Sequence, residues 1–192
     1  MGRSAVGGRC KVLVSLFLIG ASMTTPQMSV QTASQTIVED SSDGMARAVN
    51  RMTGGIISYA RWPNHTADSA RTMCVIGTPR LTNRLVPDVP GSGTVLVRRM
   101  GAAAVIGRTD CDILFLGRTT VADRRQLIAW VRGRPVLTMT DDDAQCIYGA
   151  MFCLMERGTS LSFSVNLDAI ARGPLRIDPR VLSIARNDGA TP

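Results

Sequence analysis

The feature that most constrains the fold is a group of four short apolar segments in the middle of the chain. They lie at residues 73–77 (MCVIG), 94–98 (TVLVR), 111–117 (CDILFLG) and 135–140 (PVLTMT). The third is apolar without alternation, which is typical of a strand covered on both faces. Thr78 and Pro79 are suited to begin a helix, and Thr120 with Asp123 predicts the start of another. The order strand, helix, strand, strand, helix, strand predicts an α/β sheet with parallel pairs.

A longer helix is predicted before these strands. Thr36 and Glu39 have the spacing of a capping box, and apolar residues recur behind them at helical intervals. Gly54 and Gly55 lie inside this pattern and lower its helix propensity. We therefore expect the helix to pack closely against a neighbouring segment at this point.

The C-terminal part of the chain has a different pattern. Two strand-like runs, 151–155 and 161–165, flank a polar turn and predict a hairpin. A short helix is predicted over 167–172, and Asp178 is suited to cap a last one. The 192 residues fit one mature domain over 36–188. Its predicted architecture is a mixed, largely parallel sheet flanked by helices, with a C-terminal hairpin and short helices.

The start of the chain, residues 1–33, is predicted to be a signal peptide. Residues 12–21 (VLVSLFLIGA) form an uncharged apolar run behind three basic residues, which is the pattern of a secretory leader. This run is too short to span a bilayer as a helix, which takes about 20 apolar residues. Cleavage is predicted after Ala21 or after Ala33, and the sequence leaves that choice open. We expect the exported protein to be soluble once the leader is removed.

Four cysteines remain beyond the leader, namely Cys74, Cys111, Cys146 and Cys153. An even number in an exported protein predicts two disulfides, and four cysteines allow three pairings. A four-cysteine zinc site is the alternative, but the sequence contains no CxxC pair. Disulfides are therefore favoured, and no metal site is expected.

The chain lacks the residues that most catalytic sites need. His65 is its one histidine and Lys11, inside the leader, its one lysine. No nucleophile motif of the GxSxG type occurs. The acidic turn at 141–143 lacks the glycine and distal glutamate of a calcium loop, so a solvated turn is the favoured interpretation. We expect no catalytic residue and no cofactor.

The net charge does not indicate a nucleic-acid partner. The chain has 22 basic and 15 acidic residues, a formal charge of +7. The arginines are scattered, and no basic stripe or binding motif accompanies them. Such a balance supports solubility and does not specify a partner.

Three stretches are more specific than these features. They are GGIISYARWP at 54–63, MFCL at 151–154 leading into FSVNLDAIAR at 163–172, and DPRVLSIAR at 178–186. Over about 36–186 the chain resembles the YfiR family, small periplasmic proteins that restrain a YfiN-type inner-membrane diguanylate cyclase. The resemblance implies a non-catalytic periplasmic protein that binds the periplasmic region of the cyclase and inhibits it. Cyclic-di-GMP and biofilm formation would then fall.

The resemblance also bears on disulfides and on other partners. The cysteines fall where the family has two disulfides. In a flavodoxin-like order the strands at 73–77 and 111–117 are parallel neighbours, which pairs Cys74 with Cys111 and leaves Cys146 with Cys153. A YfiB-like outer-membrane lipoprotein is implied as a protein that sequesters the repressor. A second copy of the chain is a further candidate partner.

Two apolar residues are candidates for partner binding. Phe152 and Ile170 would form an apolar surface patch of the kind that the family resemblance favours. Packing in the core is the stronger expectation for each of them. Phe163, Val165 and Leu167 alternate as core positions, and Ile170 would share the buried helix face of Leu167.

The alternative function belongs to another class. It is a periplasmic module that binds or senses a small molecule in the cleft of the α/β sheet. Pull-down of membrane partners, compared with ligand-induced shifts in melting temperature, would separate the two.

Overall fold

The structure is a computed structural model that describes residues 30–36, 42–63, 69–91, 93–107, 110–158 and 160–184. Its helices are α1 (Ser42–Ser58), α2 (Ala102–Ile106), α3 (Val121–Val131) and α4 (Leu167–Ala171), with a 3₁₀ helix over Pro179–Ser183. Its strands are β1 (Val30–Thr36), β2 (Ala60–Arg61), β3 (Arg71–Ile76), β4 (Val95–Arg99), β5 (Ile113–Leu116), β6 (Leu137–Thr140), β7 (Phe152–Arg157), β8 (Ser160–Asn166) and β9 (Arg176–Ile177). Most of the predicted signal peptide, as well as Glu39 and His65, lies outside the described residues.

Seven strands form one sheet in the order β1-β8-β7-β6-β5-β3-β4. The five strands from β7 to β4 are parallel, and β8 and β1 extend the sheet in antiparallel fashion. Counted along the chain, the parallel strands have the order 2-1-3-4-5 of a flavodoxin-like sheet. β2 and β9 pair separately. The predicted α/β class with a mixed, largely parallel sheet is confirmed, and so is the β7–β8 hairpin.

The sheet has a core layer on each face. Alternate residues of a strand point to opposite faces, so Val75 and Phe115 join the layer under α1 while Cys74 and Leu114 join the layer under α2 and α3. The α1 side is the larger of the two clusters. Residues of α1 at helical spacing are fully buried there, namely Val49, Met52 and Ile56.

The predicted close packing at the paired glycines is confirmed. A Cβ on Gly54 would overlap the carbonyl of Asp88, and one on Gly55 would lie 3.0 Å from Cδ1 of Ile184. The same segment around Asp88 is tied to α1 by the Asn50 side chain, which exchanges hydrogen bonds with the backbone there. Small residues at this turn of α1 let backbone approach backbone.

The helix predicted at Thr78 and Pro79 is wrong. The N–H and C=O groups of Thr78 are both hydrogen-bonded to Arg118, just beyond the carboxyl ends of β3 and β5, so they cannot begin a helix. No helix occurs in the described residues 79–91. The prediction also missed α2, a five-residue helix between β4 and β5 that starts after Gly101 without a side-chain cap.

The predicted start of the first helix is wrong as well. Thr36 ends β1, which pairs with β8, and α1 begins at Ser42. Pairing with the hairpin edge overrides the local capping pattern, and the sheet thus includes residues before the predicted domain start at 36. Cleavage of a leader after Ala33 would remove the first half of β1, whereas cleavage after Ala21 would retain it.

The other predicted helix starts are confirmed. The Thr120 hydroxyl accepts the N–H of Asp123 at 3.0 Å and caps α3. An Asp178 carboxylate oxygen accepts the N–H of Arg180 at 2.9 Å, although the element that it caps is a 3₁₀ helix. The short helix predicted over 167–172 is α4.

Candidate functional site

The crevice at which flavodoxin-like sheets bind ligands is closed in this protein. It would lie beyond the carboxyl ends of β3 and β5, where the strand order reverses. There the N–H of Thr78 donates to the carbonyl of Arg118 at 3.1 Å, and the N–H of Arg118 donates back at 2.7 Å. Gly77 and Gly117 permit this approach, since a Cβ on either would overlap the facing backbone. Backbone pairing thus joins the two segments that would form the walls of such a crevice.

Asp141, at the end of β6, binds the segment that follows β3 at the same end of the sheet. Its side chain is buried, and Oδ2 accepts the N–H groups of Arg80 at 2.6 Å and Leu81 at 2.9 Å. Burial raises the pKa of the Asp141 carboxyl above its ordinary 3.8, and the hydrogen bonds from Leu81 and Arg80 offset part of that rise. This carboxylate holds the segment after β3 against the end of β6.

The solvated acidic turn predicted at 141–143 is therefore wrong. Asp143 is also buried, and its Oδ2 accepts the N–H of Tyr148 at 2.7 Å. Asp142 forms an ion pair with Arg124 of α3 at 2.8 Å. Each carboxylate satisfies a specific donor, which is what stabilises acidic groups away from water.

The structure contains both disulfides with the predicted pairing. Cys74 is joined to Cys111 and Cys146 to Cys153, with Cα–Cα distances of 5.8 and 5.5 Å. All four residues are buried. Since every thiol of this set is used in a bridge, the alternative of a four-cysteine zinc site is excluded.

Phe152 is fully buried, which confirms the stronger expectation of core packing and shows that its placement in an exposed patch is wrong. Its ring packs against that of Phe163 at a centroid distance of 5.8 Å, in the layer under α1. Ile170 is half-buried and packs against the same layer. Leu167, predicted in the core, is exposed, because the side chain of Asn166 caps α4 and ends the strand alternation. A partner contact at Ile170 stays a prediction.

A cleft of about 220 Å³ lies where α3, the loop 146–153 and the start of α4 meet. We call residues 146–153, closed by the second bridge, the disulfide loop. Apolar side chains lining the cleft include Ile128, Ile147, Tyr148 and Met151, and two arginines, Arg132 and Arg172, line it too. Sequence reasoning missed this site. The available signal was a pair of large apolar residues in a turn bracketed by two cysteines.

The structure thus defines a small α/β protein braced by two buried disulfides, with a closed sheet crevice and a cleft beside the disulfide loop. Within the described ranges, no helix has both the length and the apolar character to cross a membrane. A family model described as YfiR/HmsC-like matches residues 46–186. The chain belongs to this family, as the three motifs indicated.

Proposed function

We propose that this protein is a non-catalytic periplasmic regulator that binds the periplasmic region of a YfiN-type diguanylate cyclase and holds the enzyme inactive. Its action would lower cyclic-di-GMP and biofilm formation. The observation that carries the proposal is the family match over 46–186, which contains all three motifs of the resemblance.

The disulfides support the proposed compartment. Bridges of this kind form and persist in oxidising environments, of which the periplasm is one. Both are buried and join segments that the fold brings together. The apolar run at residues 12–21 also supports export to that compartment.

The closed crevice at the carboxyl ends of β3 and β5 supports a role without catalysis. Enzymes of this fold class work in the crevice that the Thr78–Arg118 pair occupies here. Asp141 and Asp143 lie at that end of the sheet, and their carboxylates already accept hydrogen bonds from backbone N–H groups. With one histidine in the chain and its one lysine inside the predicted leader, little is left for proton transfer.

The proposed mechanism is a shift of populations. A protein that binds the inactive state of the cyclase better than the active state favours the inactive state by its difference in affinity. A YfiB-like lipoprotein that binds the same regulator would lower its free concentration and release the cyclase. Neither step needs covalent chemistry.

Deletion of the gene tests this proposal. We expect cyclic-di-GMP to rise and biofilm to thicken in the deletion strain, and the wild-type gene to restore both. The measurement is cyclic-di-GMP in cell extracts, at matched levels of the complementing protein. A gene lacking residues 2–21 is the matched control, because its product would stay in the cytoplasm and fail to complement. Unchanged cyclic-di-GMP after deletion would rule the proposed function out.

A further inference from the structure

The surface beside the cleft has the composition of a protein interface. Ile147 and Tyr148 are 49% and 54% exposed, are adjacent in the chain and both line the cleft. Exposed apolar side chains that cluster beside a concavity mark binding surfaces, whereas scattered ones need no explanation. Tyrosine and arginine are the residue types enriched where binding energy concentrates, and Arg132 lines the same cleft.

The disulfide loop holds Tyr148 in place before anything binds. Its N–H donates to Asp143 at 2.7 Å, and the Arg124 guanidinium lies 4.8 Å from the ring centroid. Arg124 is itself oriented by its ion pair with Asp142 at 2.8 Å. An aromatic side chain that is already ordered loses little conformational entropy on binding, which favours affinity.

The charge around the cleft selects an acidic occupant. The charged residues that line the cleft are Arg132, Arg172 and Asp168, which leaves a net positive charge there. Arg132 is exposed, and its side chain forms no ion pair or hydrogen bond with any residue that the structure describes. Arg172, by contrast, is already paired with Asp168. A carboxylate that arrived at Arg132 would form an ion pair without displacing an internal one.

We propose that Ile147, Tyr148 and Arg132, with the cleft that all three line, form a docking site for a protein segment. That segment inserts one apolar side chain into the cleft and presents a carboxylate to Arg132. A volume of about 220 Å³ is below the roughly 300–1,000 Å³ of most small-molecule sites, which favours one anchoring side chain over a whole ligand. The inference rests on the proposed function, since it assigns this surface to the protein partner of the regulator.

The test measures binding of the oxidised protein to the purified periplasmic region of the cyclase. Tyr148→Ala should weaken binding at least about tenfold, as removal of a central aromatic anchor does. Arg132→Gln should weaken it about threefold and reduce its dependence on ionic strength. Tyr148→Phe keeps the ring and should stay within about twofold of wild type. Val86→Ala is the matched control, because Val86 is 68% exposed but does not line the cleft.

The outcomes separate this inference from the proposed function. If wild type binds and Tyr148→Ala and Arg132→Gln bind equally well, the docking site is wrong while the proposed function stands. If wild type does not bind the cyclase region, both are wrong. If 4-hydroxyphenylacetate shifts the amide resonances of Ile147 and Tyr148 and the cyclase region does not, the cleft takes a small organic anion and the docking proposal fails.

Discussion

The two disulfides brace regions of very different kinds. The Cys74–Cys111 bridge has a sequence separation of 37 and links β3 to the residues just before β5, two strands that already pair in parallel. The Cys146–Cys153 bridge has a separation of 7 and ties β7 to a loop in which residues 141–151 contain no helix or strand. One bridge reinforces regular structure, and the other shapes an irregular surface.

The disulfide loop shows what replaces regular hydrogen bonding. Cys146 has a φ of 55°, a left-handed conformation that is costly for a residue with a side chain. Its N–H donates to the carbonyl of Asp143 at 3.0 Å, and its carbonyl accepts from the Asn166 side chain at 3.1 Å. The turn is therefore held by one backbone hydrogen bond, one side-chain hydrogen bond and a bridge. Global stability and function should depend on different disulfides.

The largest expected effects come from removing each bridge by paired serine substitution. By loop-closure entropy, Cys74→Ser with Cys111→Ser should lower the free energy of unfolding by about 4 kcal/mol, and Cys146→Ser with Cys153→Ser by about 2.5 kcal/mol. Urea unfolding measures both. Repression of cyclic-di-GMP should follow the opposite order, because a disulfide loop that opens locally presents its surface only part of the time.

Each double variant must be compared at matched periplasmic levels. If the variant that lacks Cys74–Cys111 is the weaker repressor, repression follows global stability. The claim that stability and function depend on different disulfides is then wrong. Full repression by the variant without Cys146–Cys153 would remove the role of the short bridge in function.

A loss between those of the two bridges is expected where α1 packs closely against the segment around Asp88. Gly54→Ala would place a Cβ on the carbonyl of Asp88, and we expect a loss of about 3 kcal/mol in the free energy of unfolding. Gly107→Ala is the control, because its Cβ would meet only the carbonyl oxygen of Ala103, at 3.8 Å. Equal unfolding midpoints for the two variants would show that the contact between α1 and this segment adjusts freely.

The smallest effect concerns Asp141, at the start of the irregular region. Asp141→Ala removes the acceptor of two backbone N–H groups and should cost about 2 kcal/mol. Asp141→Asn keeps an acceptor oxygen and should cost less than Asp141→Ala, since it also removes a buried charge.

The pH dependence gives a second test of Asp141. Burial raises the pKa of Asp141 above 3.8, so between 3.8 and the raised value the folded state binds more protons than the unfolded state. The contribution of Asp141 to the free energy of unfolding should therefore fall as pH rises through that window. Asp141→Asn should lack this dependence. Parallel pH profiles for wild type and Asp141→Asn would contradict the assignment.

Much of the fold could be predicted because its strands are locally encoded. The apolar runs at β3, β5 and β6 are short and lie next to glycine or proline, which favours strands over helices. The errors lie where distant backbone competes with a local signal. Thr78 has the features of a helix cap but pairs with Arg118, and Thr36 has the spacing of a capping box but ends β1.

The site was less predictable, because exposure is not a local property. Leu167 was placed in the core but is exposed, because the capped turn at Asn166 rotates it outward. The surface patch considered for Phe152 is wrong, because β7 lies inside the sheet. Ile147 and Tyr148 look like core residues by composition. The disulfide loop nevertheless leaves both of them half-exposed.

The sequence by itself determined the α/β class, the even set of cysteines and membership of the family. These follow from apolar patterns and motifs that are complete within short stretches of the chain. Only the tertiary structure decided that the sheet crevice is closed and that a cleft forms beside the disulfide loop. Both features depend on segments far apart in the chain, Thr78 with Arg118 in one case and α3 with α4 in the other. Their proximity arises only when the sheet has brought those segments together.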